Sequence, residues 1–375
     1  MADDPTGRGR SEPVAAGPAG RAEWAERFAH QGLACAELGS PLYARLLALL
    51  AEEVRAGTTT WDVVARRVDL RFGQAGPLRL VGAAHRLALA GDAPEWAALL
   101  PSCGGAPPDD DGALLVAWRA LVDVHPEELA AGLDREVQTN EVGRAGGLAL
   151  ALAETGFEQC RLVELGCSGA LNLRLDHFEI DLGGVVLGDA GSAVHLHPEI
   201  RGHLGGLRRE GLALPRVTDR VGIDPHPVDA ITDDGRLTLL CFVWPDQAER
   251  LARVEAAIAV ARHEAAELLV AGGGAAGAGP DTAEVLTEVL ERGGPAVVQH
   301  SIVWQYVPTE VRWSVTEVIE EAGRHANKES PLGWVRFEPD EWDRRRASVW
   351  LRTWPDGGDR LIAHADFHGR WLEPT

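Results

Sequence analysis

The stretch RLVELGCSGALNLRLD, residues 161–176, constrains the fold more than any other part of the chain. Arg161 to Leu165 read as a short apolar strand. Gly166-Cys167-Ser168-Gly169-Ala170 read as a turn of small residues, and Leu171 to Asp176 as helical. A strand, a small-residue turn and a helix in that order make a nucleotide-binding corner: small side chains let the backbone approach a ligand, and the start of the helix offers free N–H groups. Glu164 at the strand end narrows the ligand, because a carboxylate repels phosphate and attracts a cation.

From residue 161 onward strands alternate with helices, the pattern of a parallel sheet with crossovers. Strands are predicted at 161–165, 217–223, 237–243, 267–271, 295–300 and 332–337. Helices are predicted at 246–262 and 281–292, where Asp246 with Glu249 and Asp281 with Glu284 have capping-box spacing. A third spans about 308–322, with Pro308 at its start and Gly323 beyond its end. RASVWLRTW, PDGG and RLIAHADF predict a C-terminal antiparallel hairpin. GGGAAGAG, 272–279, reads as a flexible loop.

The first part of the chain reads as helical. Leu42, Leu46, Leu49 and Leu50 form one stripe at helical spacing. Val81, Ala84, His85, Leu87 and Ala88 form a second, and Leu114, Trp118, Leu121 and Val122 a third. The Asp- and Pro-rich link at 104–112 reads as a surface loop. The expected organisation is a disordered tail (1–22), a helical N-terminal domain (23–150) and a Rossmann-like α/β domain (151–375) with a mostly parallel sheet and the closing hairpin.

Composition limits the partners. The 375 residues are 45% hydrophobic, enough for one large or two ordinary cores. With 57 Asp+Glu against 36 Lys+Arg the net charge is -21, which disfavours duplex nucleic acid and anionic membranes. Arg208-Arg209 and Arg344-Arg345-Arg346 are small basic spots read as solvated surface. A small-molecule substrate is the expected partner. The five Cys are scattered without a CxxC pair, which suggests reduced thiols in a cytoplasm. The N-terminus has no apolar signal core and no run of about 20 apolar residues occurs, so no membrane span is expected.

Polar residues at strand ends are the candidate site. Asp224 closes the second strand, where an acid accepts hydrogen bonds from ribose; it also suits a turn before Pro225. His300 and Ser301 end the strand AVVQHS, and Trp304 and Tyr306 follow as substrate contacts or as core. Trp244 is placed to stack on a planar or cationic group. Asp246 is either a base or a helix cap. Gln138, Asn140, Glu141 and Arg144 form a polar cluster, read either as substrate contacts or as a domain-boundary network. His195-x-His197 with His203, and His364 with His368, have no acid or Cys at ligand spacing, so no metal is expected.

These residues carry two resemblances. The corner is similar to the acid-x-Gly-x-Gly-x-Gly pattern of class I methyltransferases: Glu164 and Gly166 match, while Ser168 and Ala170 stand where Gly is usual. The 295–323 segment resembles the fourth-strand region of the same enzymes. VQTNEVGRA, LVELGCSGALNLRLD, FVWPDQAERL, HSIVWQYVP and the terminal HGRW together resemble the bacterial, mostly actinobacterial, "domain of unknown function 2332" family across about 24–372. That family's turn usually reads Gly-x-Ser-x-Gly. Ala170 departs from it, and a positive φ there would strain the turn.

The resemblance to class I methyltransferases implies an S-adenosylmethionine-dependent methyltransferase acting on a small molecule. Glu164, Gly166, Ser168, Gly169 and Asn172 would form the cofactor corner, Asp224 would hold ribose, and Ser301 and His300 would border the methyl group. Asp246 or His300 would be the general base. A serine hydrolase is the alternative, with Ser168 as nucleophile on an elbow-like turn. The third reading is a ligand-sensing or partner-binding protein that retains the fold without catalysis.

Overall fold

The computed structural model describes residues 18–202, 212–272 and 281–375. Residues 1–17 of the expected tail, His203, the Arg208-Arg209 pair and the Gly/Ala loop from 273 lie outside the described residues, whereas residues 18–22, expected in the tail, open the first helix. The protein is a mixed α/β structure that divides into two compact units. The first comprises the chain up to Thr139 together with Leu237–Ala252, and the second comprises Asn140–Arg236 and Arg253–Thr375.

In the first unit the chain forms α1 (Pro18–Glu37), α2 (Pro41–Ala56), α3 (Thr59–Val64), α4 (Gly76–Ala90), α5 (Pro94–Ala97), α6 (Asp111–Val124) and α7 (Pro126–Gly132). The helical stripes read from the sequence pack here. Leu46, Leu50, Leu80, Val81, Leu114 and Trp118 are buried in one core with Trp24 and Phe28. Each stripe buries because residues three and four apart share a helix face. The helix ends carry their own signals: Ser40 Oγ accepts from Tyr43 N (3.3 Å), and Asp110 Oδ2 accepts from Ala113 N (2.7 Å).

The second unit opens with α8 (Ala145–Ala153), continues through β1 (Gln159–Leu165) and a 3-10 segment at Leu171–His177, and then forms β2 (Glu179–Asp181), β3 (Val186–Gly188), β4 (His195–Leu196), β5 (Glu199–Ile200) and β6 (Arg216–Asp224). After β6 come α9 (Asp233–Cys241) and α10 (Ala248–Ala261), whose residues 237–252 belong to the first unit, and then β7 (Glu267–Val270), α11 (Thr282–Glu291), β8 (Ala296–Ser301) and α12 (Thr309–His325). The chain ends with β9 (Leu332–Pro339), β10 (Ala347–Trp354), β11 (Arg360–Ala365) and β12 (Trp371–Pro374).

Nine strands form one sheet in the order β5-β12-β11-β10-β9-β8-β1-β6-β7. The run from β9 to β7 is parallel, and β9 to β12 pair antiparallel, including the expected β10–β11 hairpin. Alternate residues face opposite sides of a strand. Val163, Leu165, Val298 and Trp334 pack with Leu286 and Val289 of α11 and with Val315 and Ile319 of α12. On the other face lies α8, buried along its whole length, as expected for a helix that is apolar all round. Gly147 allows its close approach: a Cβ there would stand 3.0 Å from Phe337 and 3.2 Å from Val349. A separate three-stranded sheet has the order β3-β2-β4. Among the described residues no helix is long and apolar enough to cross a membrane.

Three sequence expectations are corrected. Residues 237–243 are not a strand: 237–241 complete α9. A short apolar run fits a buried helix as well as a strand, and Asp233 and Asp234 sit in the first helical turn, where acids are favourable. Asp246 does not cap the helix after it. Its carboxylate accepts from Ser40 Oγ (2.6 Å) and Leu42 N (2.8 Å), tying residues 200 positions away in the chain. Gly323 lies inside the last turn of α12, not beyond it; its small size serves packing there, since a Cβ would meet the Trp354 ring at 2.4 Å.

Candidate functional site

The candidate residues of the second unit gather at the carboxyl ends of β1, β6 and β8, where ligands of open α/β sheets bind. Three local devices shape the turn after β1. Gly166 takes φ +67, and a Cβ there would lie 2.3 Å from Val303. Ser168 and Ala170 also adopt positive φ, 51° and 53°, so the strain anticipated from Ala170 is present. Cys167 packs over Gly222, where a Cβ would stand 2.6 Å from its sulfur.

The helix start does not offer the expected free N–H groups. Asn140 Oδ1 accepts from Leu171 N (2.9 Å), and its Nδ2 donates to the Cys167 carbonyl (3.3 Å), so one side chain clamps both sides of the turn. Leu173 N bonds the Ala170 carbonyl (3.2 Å). The expected α-helix is a 3-10 segment. Gly169 is buried within this turn.

Asp224 does end the second parallel strand. Its Oδ2 accepts from Ser168 N (2.9 Å) and its Oδ1 from His226 N (2.8 Å). Its carboxylate therefore locks the turn after β1 and forms the local turn that ends β6, as expected of a turn Asp before Pro225.

Glu164 is buried, and its register partner on β8 is Gln299. Burial pushes the Glu164 carboxyl up to about 8, against the opposing pull of the Arg144 and Arg174 guanidiniums. Glu164 Oε2, both amide atoms of Gln299, Asn172 Oδ1 and Ser168 Oγ are buried without a hydrogen-bond partner among the described residues. Each such atom costs about 1–3 kcal/mol unless a ligand or water pairs it. Asn172 Nδ2 donates to the Glu141 carbonyl (3.3 Å).

Arg144 knits this region together. Its Nε donates to the Phe367 carbonyl (2.9 Å) and its Nη1 to the Ser301 carbonyl (3.2 Å). Glu141 Oε1 accepts from Gly143 N (3.1 Å) and lies 3.7 Å from Arg253. The terminal HGRW segment meets VGR directly: a Cβ on Gly143 would be 2.2 Å from the His368 carbonyl. Two motifs more than 220 residues apart in the chain thus share one packed corner.

His300 belongs to a different group. Strand alternation turns it to the face opposite Gln299. There its ring stacks on Trp304 (4.3 Å, 15°) beside Trp334, and its Nδ1 meets Glu338 Oε1 at 2.6 Å. His300 Nε2 is buried and has no hydrogen-bond partner among the described residues. Glu338 Oε1 also accepts from Val303 N and Trp304 N. Tyr306 is exposed.

The remaining candidates fall in the first unit. Trp244 is part of its core beside Tyr43 (6.4 Å), with Arg250 over its ring (5.9 Å), and Asp246 is bonded as described. Gln138 is half-buried outside any regular element.

Sequence reasoning missed Gln299, Arg174 and Glu338. Gln299 had a signal, as the one amide in the apolar run AVVQH. Arg174 is buried and bonds the Ala170 and Glu264 carbonyls, with burial and the neighbouring Arg220 pulling its pKa down. Glu338 had no signal, since only the β8–β9 pairing brings it to His300. At the opposite end of the strands, Glu154, Gln159, Pro295, Lys328 and Trp354 line a cleft of about 750 Å³, away from all of these groups.

Neither the comparison with curated proteins nor that with solved structures returned a match. The family model described as "Uncharacterized protein conserved in bacteria (DUF2332)" matches residues 25–373, nearly the whole chain, and the protein belongs to that family.

Proposed function

We propose that the second unit is a Rossmann-like, class I S-adenosylmethionine-dependent methyltransferase domain acting on a small molecule. The observation that carries this reading is the set of buried, unpartnered polar atoms of Glu164, Ser168, Asn172 and Gln299 at the carboxyl ends of β1 and β8. Among the parallel strands, taken in chain order, the sheet runs third-second-first-fourth-fifth: β7, β6, β1, β8, β9. That is the order of a doubly wound nucleotide-binding sheet, and its switch point lies between β1 and β8.

The residues fit such a ligand through their oxygens. Glu164, Ser168 and Asn172 present unpartnered acceptors, and Asp224 closes the second strand beside them. The ligand would supply an electrophilic methyl group. His300, the expected base, points to the other face of the sheet, where Glu338 and Trp304 hold its ring, so this reading gives it a positioning role beside Ser301 rather than a direct one. The acidic chain suits a small or cationic acceptor.

Titration calorimetry with S-adenosylmethionine and S-adenosylhomocysteine tests the reading. Micromolar binding by the wild type, lost or strongly weakened in Glu164→Gln and Asp224→Asn, is expected. No binding of either compound by folded protein overturns it.

One observation favours the serine hydrolase reading: Ser168 holds positive φ after a strand, as a nucleophile elbow does. Against it, Ser168 Oγ has no hydrogen-bond partner among the described residues, so no described imidazole is in place to activate it. Fluorophosphonate labelling that disappears in Ser168→Ala would displace the methyltransferase reading.

A further inference from the structure

The small sheet β3-β2-β4 carries a second cluster, unconnected to the groups above. β2 and β4 are parallel, with Glu179 paired to His195 and Ile180 to Leu196. Alternation then divides the side chains by face. Ile180 and Leu196 are buried beneath the sheet, while Glu179, Asp181, His195 and His197 emerge on the other side.

The two imidazole rings stack almost parallel (6.3 Å, 6°). His195 Nδ1 lies 3.3 Å from Glu179 Oε1, and His197 Nδ1 lies 3.9 Å from Asp181 Oδ2. One ligating atom each from Glu179, His195 and His197 falls within 4.8 Å of the others. Ligands on one tetrahedral ion with bonds of about 2.1 Å stand roughly 3.4 Å apart, so small side-chain rotations bring all three to a common centre. The sequence offered His195-x-His197 without an acid at ligand spacing. Strand pairing supplies the acid from sixteen positions upstream.

We propose that Glu179, His195 and His197 form a binding site for one divalent transition-metal ion of the zinc class. Two imidazoles and a carboxylate suit such an ion, whereas Mg²⁺ and Ca²⁺ prefer all-oxygen sets. Asp181 stands beside His197 as a fourth ligand or as the acceptor that orients its ring. Both imidazoles are about half exposed, so the site opens to solvent and keeps a position for water. Bound there, the ion joins β2 to β4, a pairing of only two registered residue pairs.

The test uses the full chain, without a histidine tag and stripped with chelator. Calorimetric titration with Zn²⁺ is expected to give one site of micromolar affinity and a raised melting temperature. Titration with Co²⁺ is expected to develop the visible absorption of a nitrogen- and oxygen-ligated ion. His195→Ala and His197→Ala should each weaken binding at least about tenfold and remove the Co²⁺ band. Both side chains are exposed, so unchanged circular dichroism is expected; Glu179→Gln, which keeps its shape, should weaken binding as well. Failure of either ion to bind below millimolar concentration overturns the proposal, as does equal binding by the wild type and the His195→Ala and His197→Ala variants.

Discussion

Glu164 and Gln299 stand opposite each other on adjacent parallel strands, and among the described residues neither Glu164 Oε2 nor either Gln299 amide atom makes a hydrogen bond of ordinary geometry. A buried carboxyl facing an unsatisfied amide is an expensive arrangement in a sheet core. It coincides with the strained turn at Ser168 and Ala170. Unsatisfied groups and backbone strain concentrate where a protein meets a ligand.

The raised Glu164 pKa makes stability fall with rising pH. The unfolded chain releases this proton near 4.5 and the folded chain only near 8. Its contribution is therefore fully present below pH 4.5 and is lost as pH rises to about 8. Glu164→Gln should be more stable than wild type at pH 9 by roughly 2–5 kcal/mol, with the difference vanishing near pH 4. Urea unfolding of both proteins across this range measures it; a gap independent of pH would contradict the assignment.

His85 titrates with the opposite sign. It is fully buried, its Nδ1 donates to the Cys241 carbonyl (3.1 Å), and its Nε2 accepts from the Ser102 hydroxyl (2.8 Å). Burial lowers its pKa from 6.5 to about 4. The neutral ring's contribution is present above pH 6.5 and is lost as pH falls through 4. The loss should reach about 3 kcal/mol. His85→Gln should flatten this part of the acid unfolding curve.

Ala170 offers a stabilising substitution. It holds φ 53°, which costs an alanine roughly 1–2 kcal/mol and a glycine almost nothing. Ala170→Gly should raise the unfolding free energy by about 0.5–1 kcal/mol, after the added entropy of the unfolded chain is subtracted. The midpoint of a denaturant titration reads this out, and a lower midpoint would show that the turn is not strained.

Thiol reactivity should single out one cysteine. Cys103 is exposed, while Cys35, Cys160, Cys167 and Cys241 are buried. Burial pushes Cys35 up to about 11 and Cys160 to about 12, keeping both as unreactive thiols. A disulfide reagent should label one thiol quickly in the native protein, and Cys103→Ser should abolish that phase.

The sequence by itself determined the elements whose signals are local. The three apolar stripes became buried helix faces because residues three and four apart share a side. Asp281 caps its helix through Ala283 N (2.7 Å), and the PDGG turn joins the β10–β11 hairpin, because both depend on neighbours in the chain. The strand-to-helix corner after β1 was legible for the same reason.

The tertiary structure alone decided the rest. Residues 237–241 became helical, and Asp246 found Ser40 and Leu42 two hundred positions away. Asn140 closed the turn that small residues had left open, and Glu338 came to His300 through the β8–β9 register. The pairing of β2 with β4 gave His195 and His197 their carboxylate. Apart from the helix at 237–241, each outcome rests on a polar contact between distant segments. Such contacts follow from register and packing, which a local pattern of apolar and polar residues leaves open.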